Sequence, residues 1–410
     1  MKVGIFLADS NGGYPVPAAR GGAVPALVEH LVKENNDKQL FDMDIISIYD
    51  KKAEKMAKRY PNIHFIWIKP PKIISFFDKL CFDLIRTFFK KKKAVSYKSL
   101  FSLLYSIAAS SRIIKKQHYD KVVIENNIPM AWAIRLSHYT GEYYYHFHNI
   151  PRINAKCKEV FQNATAILCV SRYVAKQIGM KDNPIGPIRK IKTRVLYNCI
   201  DTKLFTPLAD EKKKQKIREK YGISKEDQVV CFVGRLSEEK GIDKVLEAVK
   251  QAQNPKIKVL IVGSYMHNIN VKDEYQVKLH HLSESMKDQV IFTGYIDQNE
   301  IPTIYQIADV AILPSMWDEP AGLTMVEAMA CGTPVITTAS GGIPEYMKEH
   351  AIVLKRDENL VRNICQEMKH IFEVTDAEKL ENSVEYVREN FSTKTYLENF
   401  HHAITEGGKQ

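Results

Sequence analysis

None of the seven cysteines, Cys81, Cys157, Cys169, Cys199, Cys231, Cys331 and Cys365, stands in a C-x-x-C pair, and most fall inside apolar runs where buried thiols are ordinary. This argues against structural zinc and for a reducing compartment. Apolar runs of membrane-spanning length are missing too, and the early KVGIFLADS is interrupted by Asp9 before it could form the core of a signal peptide. The chain is therefore expected not to cross a bilayer. There is no G-x-G-x-x-G dinucleotide fingerprint and no nucleic-acid recognition module. Acidic charge is in deficit: 48 aspartates and glutamates face 59 lysines and arginines, a formal charge of +11. A field of that sign favours anionic partners, while its dispersal along the chain argues against a nucleic acid.

What is present is a rhythm of short Val- and Ile-rich runs separated by longer helical patterns, the signature of parallel β-α-β units. KVGIFLA, MDIISIY, IHFIWIK, KVVIEN, YYYHFHN, AILCVS and RVLYN form one series. VVCFVG, KVLIVG, VIFTG, VAILPS, PVITT and AIVLK form a second. Between them, NCIDTKLFTPLADEKKKQKIREKYGIS is polar and charge-rich, as a connection leading into a new domain would be. A chain of 410 residues is also too long for one ordinary core. The expectation is an α/β protein of two doubly wound domains, 1–200 and 201–387.

Open α/β sheets bind ligands at the carboxyl ends of their strands, where helix N-termini point. The stretch SMWDEPAGLTMVEAMACGTPVI, Ser315 to Ile336, lies at such a place. Glu319 precedes its helix in the exit loop, and Glu327 sits about one turn inside it. Taken singly, Glu319 reads equally well as an acid stabilising the helix dipole, and Glu327 as an exposed surface acid. Arg235 and Lys240, in the loop after VVCFVG, are either ordinary solvated charges or preorganised cations for a ligand's phosphates. Gly21 and Gly22, between the first strand and its helix, would let backbone approach a ligand closely. His148 ends YYYHFHN, with His146 on the same strand face two residues earlier. Glu125 and Ser171, also at strand ends, are weaker candidates. The Asp42-Met43-Asp44 pair has the spacing of a D-x-D manganese motif but leads directly into a strand, and reads as structural.

Several of these stretches share one resemblance. EPAGLTMVE fits an E-x7-E pattern, FVGRLSEEKGIDKVLEA looks like a diphosphate-binding segment, and GGIPEYM matches G-G-x-P-E. VLYNCIDTKLF is similar to an inter-domain element in which Cys199 replaces the usual glycine. Together, and in this order, they resemble the family 4 retaining glycosyltransferases of GT-B fold. The resemblance implies two Rossmann-like domains facing each other across a cleft, with a terminal helix from about 388 to 410 crossing back to the first. It implies transfer of a hexose or N-acetylhexosamine from a nucleotide-diphosphate sugar, UDP before GDP, to a glycan or lipid-linked glycan, with retention and no enzyme nucleophile. Arg235 and Lys240 would meet the diphosphate, with the backbone N–H groups of Gly322, Leu323 and Thr324 beneath it, an arrangement that needs no metal and no further cofactor. Glu327 would hold the ribose, Glu319 the hydroxyls of the transferred sugar, and His148 would lie near the reacting centre. The setting implied is bacterial capsule, exopolysaccharide or other cell-surface polysaccharide synthesis, in the cytoplasm or on the inner face of the membrane.

Two alternatives stay open: a GT-B nucleotide-sugar epimerase, and a glycosyltransferase-like binding or coat protein without turnover. The stretch IISFFDKLCFDLIRTFFKKKK also has two readings. Phe76, Phe77, Leu80, Cys81, Leu84, Ile85, Phe88 and Phe89 share one helical face, followed by Lys90 to Lys93. That face either packs on the first sheet or enters an anionic membrane surface, with 76–93 as the contact.

Overall fold

The computed structural model describes residues 1–7, 14–88, 99–263, 274–294, 296–374 and 376–405. The chain divides into two compact units, Met1–Tyr197 with Tyr396–Gln410, and Asn198–Thr395. The first is built on seven parallel strands: β1 (Lys2–Phe6), β2 (Asp42–Ile48), β3 (His64–Ile68), β4 (Lys121–Glu125), β5 (Glu142–Phe147), β6 (Ala166–Cys169) and β7 (Thr193–Val195). Their spatial order is β3-β2-β1-β4-β5-β6-β7. The second has six: β8 (Gln228–Val233), β9 (Ile257–Val262), β10 (Val290–Gly294), β11 (Val310–Leu313), β12 (Val335–Thr338) and β13 (Ile352–Leu354), ordered β10-β9-β8-β11-β12-β13. Both are doubly wound, Rossmann-like sheets, as the sequence rhythm predicts.

The apolar runs explain the parallel pairing. Val3, Ile5 and Phe6 of β1 and all four residues of β11 are buried, so both sheet faces are covered by helices rather than one by water. In each sheet the strand order reverses once, between β1 and β4 and between β8 and β11. Those two switch points are where an open α/β sheet offers a crevice.

Asp44 has a structural place in the first sheet. It accepts a hydrogen bond from the Tyr119 hydroxyl at 2.8 Å and lies 3.2 Å from His64 Nδ1. Cys199 is buried and has no left-handed backbone angle, so the position that the resemblance fills with glycine does not need one in this chain. The C-terminal helix Thr393–Thr405 ends on the first unit. The Tyr144 hydroxyl donates to the Ile404 carbonyl at 2.9 Å, and Phe400 meets Phe41 with ring centroids 6.0 Å apart.

The helices Lys72–Phe88 and Leu100–Gln117 lie against each other. Buried Asp78 joins them: its carboxylate accepts from Phe101 N at 2.7 Å and from Ser102 N at 3.2 Å, capping the second helix with a side chain of the first. The apolar face of the first helix is not sunk in the core. Ile73 and Phe76 are 63% and 62% exposed, and Phe77, Leu80 and Leu84 are exposed beside them, next to Phe101 and Leu104 of the partner helix. The expected continuation through Phe89 and Lys90 to Lys93, with the Phe88 side chain, lies outside the described residues. Among the described residues no helix is long and apolar enough to cross a membrane.

Candidate functional site

In the second unit, two loops leave the switch-point strands. The first follows β8 and carries Arg235, then a 3-10 turn, Glu238–Lys240, and Gly241. Gly241 has φ +67°, and a Cβ on it would sit 2.2 Å from the Pro314 carbonyl oxygen. Glycine is therefore required for this loop to rest on the end of β11. Met316 N donates to the Glu239 carbonyl at 2.8 Å and completes the stitch.

That close approach delivers Lys240 to Glu319. The ammonium and carboxylate form an ion pair, and the Ser315 hydroxyl donates to the same carboxylate oxygen at 2.9 Å. Glu319 is 8% exposed, and it lies four residues ahead of the helix Leu323–Ala330, which has no acid in its first turn. It does not serve the dipole of that helix. Its backbone is gripped from the G-G-x-P-E segment: Gly342 N donates to the Glu319 carbonyl at 2.7 Å, and Gly341, with φ +58°, would place a Cβ 2.2 Å from that oxygen. Thr338 and Ser340 hydroxyls both donate to the Ser315 carbonyl, at 2.6 and 2.8 Å, and Arg356 bonds Met316 and Asp318. The loop holding Glu319 is thus fixed before any ligand arrives.

Arg235 is half in solvent and pairs with Glu239 at 3.5 Å. Glu327 is half-buried inside its helix, not an exposed surface acid, and accepts from the Tyr305 hydroxyl at 3.3 Å. Removal from water pushes its carboxyl up to about 7, an effect the Tyr305 bond only partly opposes. Gly322 caps that helix without a side-chain bond, leaving the first-turn N–H groups of Leu323 and Thr324 to meet whatever approaches. Trp317 Nε1 and Ser237 Oγ, from the same two loops, are buried without a hydrogen-bond partner.

In the first unit, β4 and β5 are neighbours with Glu125 registered against His146. The Glu125 carboxylate receives His148 Nε2 at 2.9 Å and His146 Nδ1 at 3.0 Å. Burial alone would raise this carboxyl, but the two imidazoles more than offset it and hold it at about 2. The chain leaves β4 through Asn126, left-handed at φ +46°, whose side-chain oxygen accepts from His148 N at 3.1 Å. Ser171 caps the helix Arg172–Ile178, donating nothing to this cluster and accepting from Val174 N at 3.2 Å. Gly21 and Gly22 both have positive φ, +75° and +99°, and Gly22 caps the helix Ala23–Lys38 with no side-chain bond.

Among the described residues, Glu125, His146 and His148 form the group whose donor atoms, within 4.8 Å of one another, could share a metal ion. The carboxylate is already satisfied by two imidazoles, and the trio reads as a hydrogen-bonded network. The structure therefore joins Lys240 to Glu319 and His148 to Glu125, and places Arg235 with Glu239 and Glu327 with Tyr305. Sequence reasoning missed Ser315, Tyr305, Ser237 and Trp317. Of these, Ser315 and Trp317 flank Glu319 closely enough in sequence to have been suspected.

Residues 213–390 match the family Glycosyl transferases group 1. YtcC of Bacillus subtilis (strain 168) is 26% identical over 354 residues, which span 84% of this chain and 77% of that protein. Spore coat protein SA of the same organism is 25% identical over 361 residues, 85% of this chain and 84% of that protein. The crystal structure of Anabaena Alr3699/HepE in complex with UDP superposes with a TM-score of 0.72 at 18% identity, covering 99% of this chain and all of that one. A likeness at that identity speaks to the fold alone: paired Rossmann-like units of the GT-B type.

Proposed function

We propose that this chain, whose residues 213–390 are a glycosyl transferases group 1 domain, is a retaining glycosyltransferase of family 4 that moves a hexose or N-acetylhexosamine from a UDP-sugar to a glycan or lipid-linked glycan. The observation that carries this reading is the Lys240–Glu319 pair, which brings a cation and a carboxylate from positions 79 apart to the adjoining ends of β8 and β11. A nucleotide-diphosphate sugar needs both: cations for its phosphates and an acceptor for its hydroxyls. Lys240 and Arg235 meet the diphosphate with the Leu323 and Thr324 N–H groups, a set that works without a metal or cofactor. Glu327 accepts from the ribose and Glu319 from the transferred sugar. Their different surroundings suit different ends of one ligand. The buried, unpartnered Trp317 Nε1 and Ser237 Oγ are further polar groups for such a ligand to satisfy.

With no nucleophile assigned, the acceptor attacks from the face the leaving phosphate vacates, and that phosphate takes the acceptor's proton. A lipid-linked acceptor lies at a membrane, and the exposed face of Ile73, Phe76, Phe77, Leu80 and Leu84 is the surface that would rest on its anionic inner face during polysaccharide synthesis. Likeness to a spore coat protein supports a second reading, a donor-binding protein without turnover. A thermal-shift screen with UDP, GDP and their sugars tests the first step, since a ligand at ~100 times its dissociation constant stabilises by about 2.7 kcal/mol. Stabilisation by none of them would overturn both readings. Stabilisation without release of UDP from any UDP-sugar, acceptors included, would favour the second.

A further inference from the structure

We infer that Ser315 is a positioning residue for Glu319: its hydroxyl keeps hold of the carboxylate when the Lys240 ammonium leaves it for a bound diphosphate, and so keeps the free carboxylate oxygen aimed at the ligand. This rests on the transferase reading, in which Lys240 meets the phosphates.

Both contacts of the Glu319 side chain fall on one oxygen. The Lys240 ammonium and the Ser315 hydroxyl each donate to Oε1, while Oε2 has no hydrogen-bond partner among the described residues. The side chain keeps 11% of its surface open. Oε1 lies under two donors, so Oε2 is the oxygen an incoming hydroxyl can reach.

The two donors differ in freedom. Lys240 reaches Oε1 on a long rotatable stem, and its side chain is 24% exposed. Ser315 is 1% exposed and cannot follow it outward. Its carbonyl is held by the Thr338 and Ser340 hydroxyls at the end of β12, which are wholly buried and lie 2.9 Å apart, and its N–H donates to the Leu313 carbonyl at 3.1 Å. A short side chain on so anchored a backbone stays where it is. Its one proton has three acceptors in reach: Glu319 Oε1 at 2.9 Å, the Trp317 carbonyl at 3.2 Å and the Glu239 carbonyl at 3.4 Å. The first is the nearest and the only charged one, and charge-assisted bonds are the strong ones.

A carboxylate withdrawn from water that loses its cation still needs a donor. Ser315 supplies it from a place too deep to touch a ligand, so its role is to position Glu319 and not to react. Without that hydroxyl, every diphosphate that draws Lys240 away would leave Oε1 bare.

UDP binding measured by calorimetry tests this on the full chain in four forms: unaltered, Ser315→Ala, Glu319→Gln and the double variant. Ser315→Ala should weaken UDP about fivefold or more, a coupling within the range shown by groups that share one network. The uncharged amide of Glu319→Gln leaves no charge to strand, so adding Ser315→Ala to it should change UDP affinity by less than about twofold. A purely structural serine would weaken UDP alike in both backgrounds. Equal losses in the two, or no loss in Ser315→Ala alone, overturn the inference. If Ser315→Ala does not fold, Ser315→Cys, close in size with a weak donor, should show the same pattern at smaller magnitude, and equal losses or none overturn it in the same way. Failure of the unaltered protein to bind UDP would sink the transferase reading and this inference with it, whereas with UDP bound only the four-way comparison decides the role of Ser315.

Discussion

Glu319 and Glu327 are eight positions apart and differ in every physical respect. Glu319 is buried, paired with Lys240 and bonded to Ser315, whereas Glu327 is half-buried with one tyrosine hydroxyl and no cation. If Glu319 holds the sugar, Glu319→Gln should lower turnover on the order of a hundredfold, because ~1 Å of misplacement at the reacting carbon is enough for that. The same change frees Lys240, so affinity for free UDP should hold or tighten by calorimetry. A weaker UDP complex in a folded Glu319→Gln would show that Glu319 grips the nucleotide instead. Glu327 gives the pH-dependent counterpart. Its carboxyl lies raised, about 7 against an ordinary 4.5, so between those values the folded protein binds more protons than the unfolded chain, and stability falls as pH rises through that window. If Glu327 holds the ribose, its hydroxyls prefer the ionised form, so UDP affinity should rise as pH approaches 7 from below, with proton release on binding. Glu327→Gln should remove that proton release and weaken UDP by about 1.5–3 kcal/mol. Proton release that persists unchanged in Glu327→Gln would assign it to another group.

At the scale of elements, the loops around Glu319 owe their geometry to two left-handed glycines, Gly241 and Gly341, each with a carbonyl oxygen 2.2 Å from where a Cβ would be. Backbone cannot move aside as a flexible side chain can. Gly341→Ala should therefore destabilise by about 1–3 kcal/mol, a fall of several degrees in Tm, at ~2–4 °C per kcal/mol for a domain of this size. Gly222 is the control: its φ is +69° but nothing lies within 4 Å, so Gly222→Ala bears only the backbone part of the penalty. Equal losses in the two would mean that the contact with Glu319 is not what excludes a side chain. The strands themselves were legible in the sequence, because a parallel strand buried on both faces reads as an unbroken apolar run, as in VAILPS and KVVIEN. The ends of those strands were legible only in part. Glu319 could be placed in its exit loop, but no spacing reveals that Lys240 folds onto it, since that depends on a glycine letting one loop lie on another. The half-burial of Glu327 was hidden for a similar reason: Tyr305 lies 22 positions away on a different helix. Likewise YYYHFHN shows two histidines on one face, whereas their shared partner comes from the neighbouring strand.

Across the whole molecule, a charge of +11 acts at long range, and the apolar face of the helix Lys72–Phe88 acts at contact. Amphipathic periodicity could not say whether that face was covered. The structure leaves Phe76 and Leu80 in solvent, which a purely internal helix would not do. Sedimentation with vesicles containing anionic lipid should therefore exceed that with neutral vesicles, and a Phe76→Ser, Leu80→Ser double variant should reduce it severalfold with Tm and UDP affinity unchanged. Equal sedimentation of the variant would free this helix from the membrane assignment.

The Lys240–Glu319 pair has a further consequence for selectivity among metabolites. Arg235 and Lys240 are paired with Glu239 and Glu319, so the loop after β8 presents little net charge to passing phosphates. Pyrophosphate or free nucleoside diphosphate can capture Lys240 only by stranding Glu319, a buried carboxylate whose remaining partner is the Ser315 hydroxyl. If Lys240 meets the donor's phosphates and Glu319 its sugar, as proposed, a complete nucleotide sugar repairs the exchange, because its own hydroxyls replace the ammonium that its phosphates remove. Under the proposed function, the pair lets an intact donor compete against the products and fragments that share its charge, and pyrophosphate should inhibit turnover far less well than its charge alone suggests.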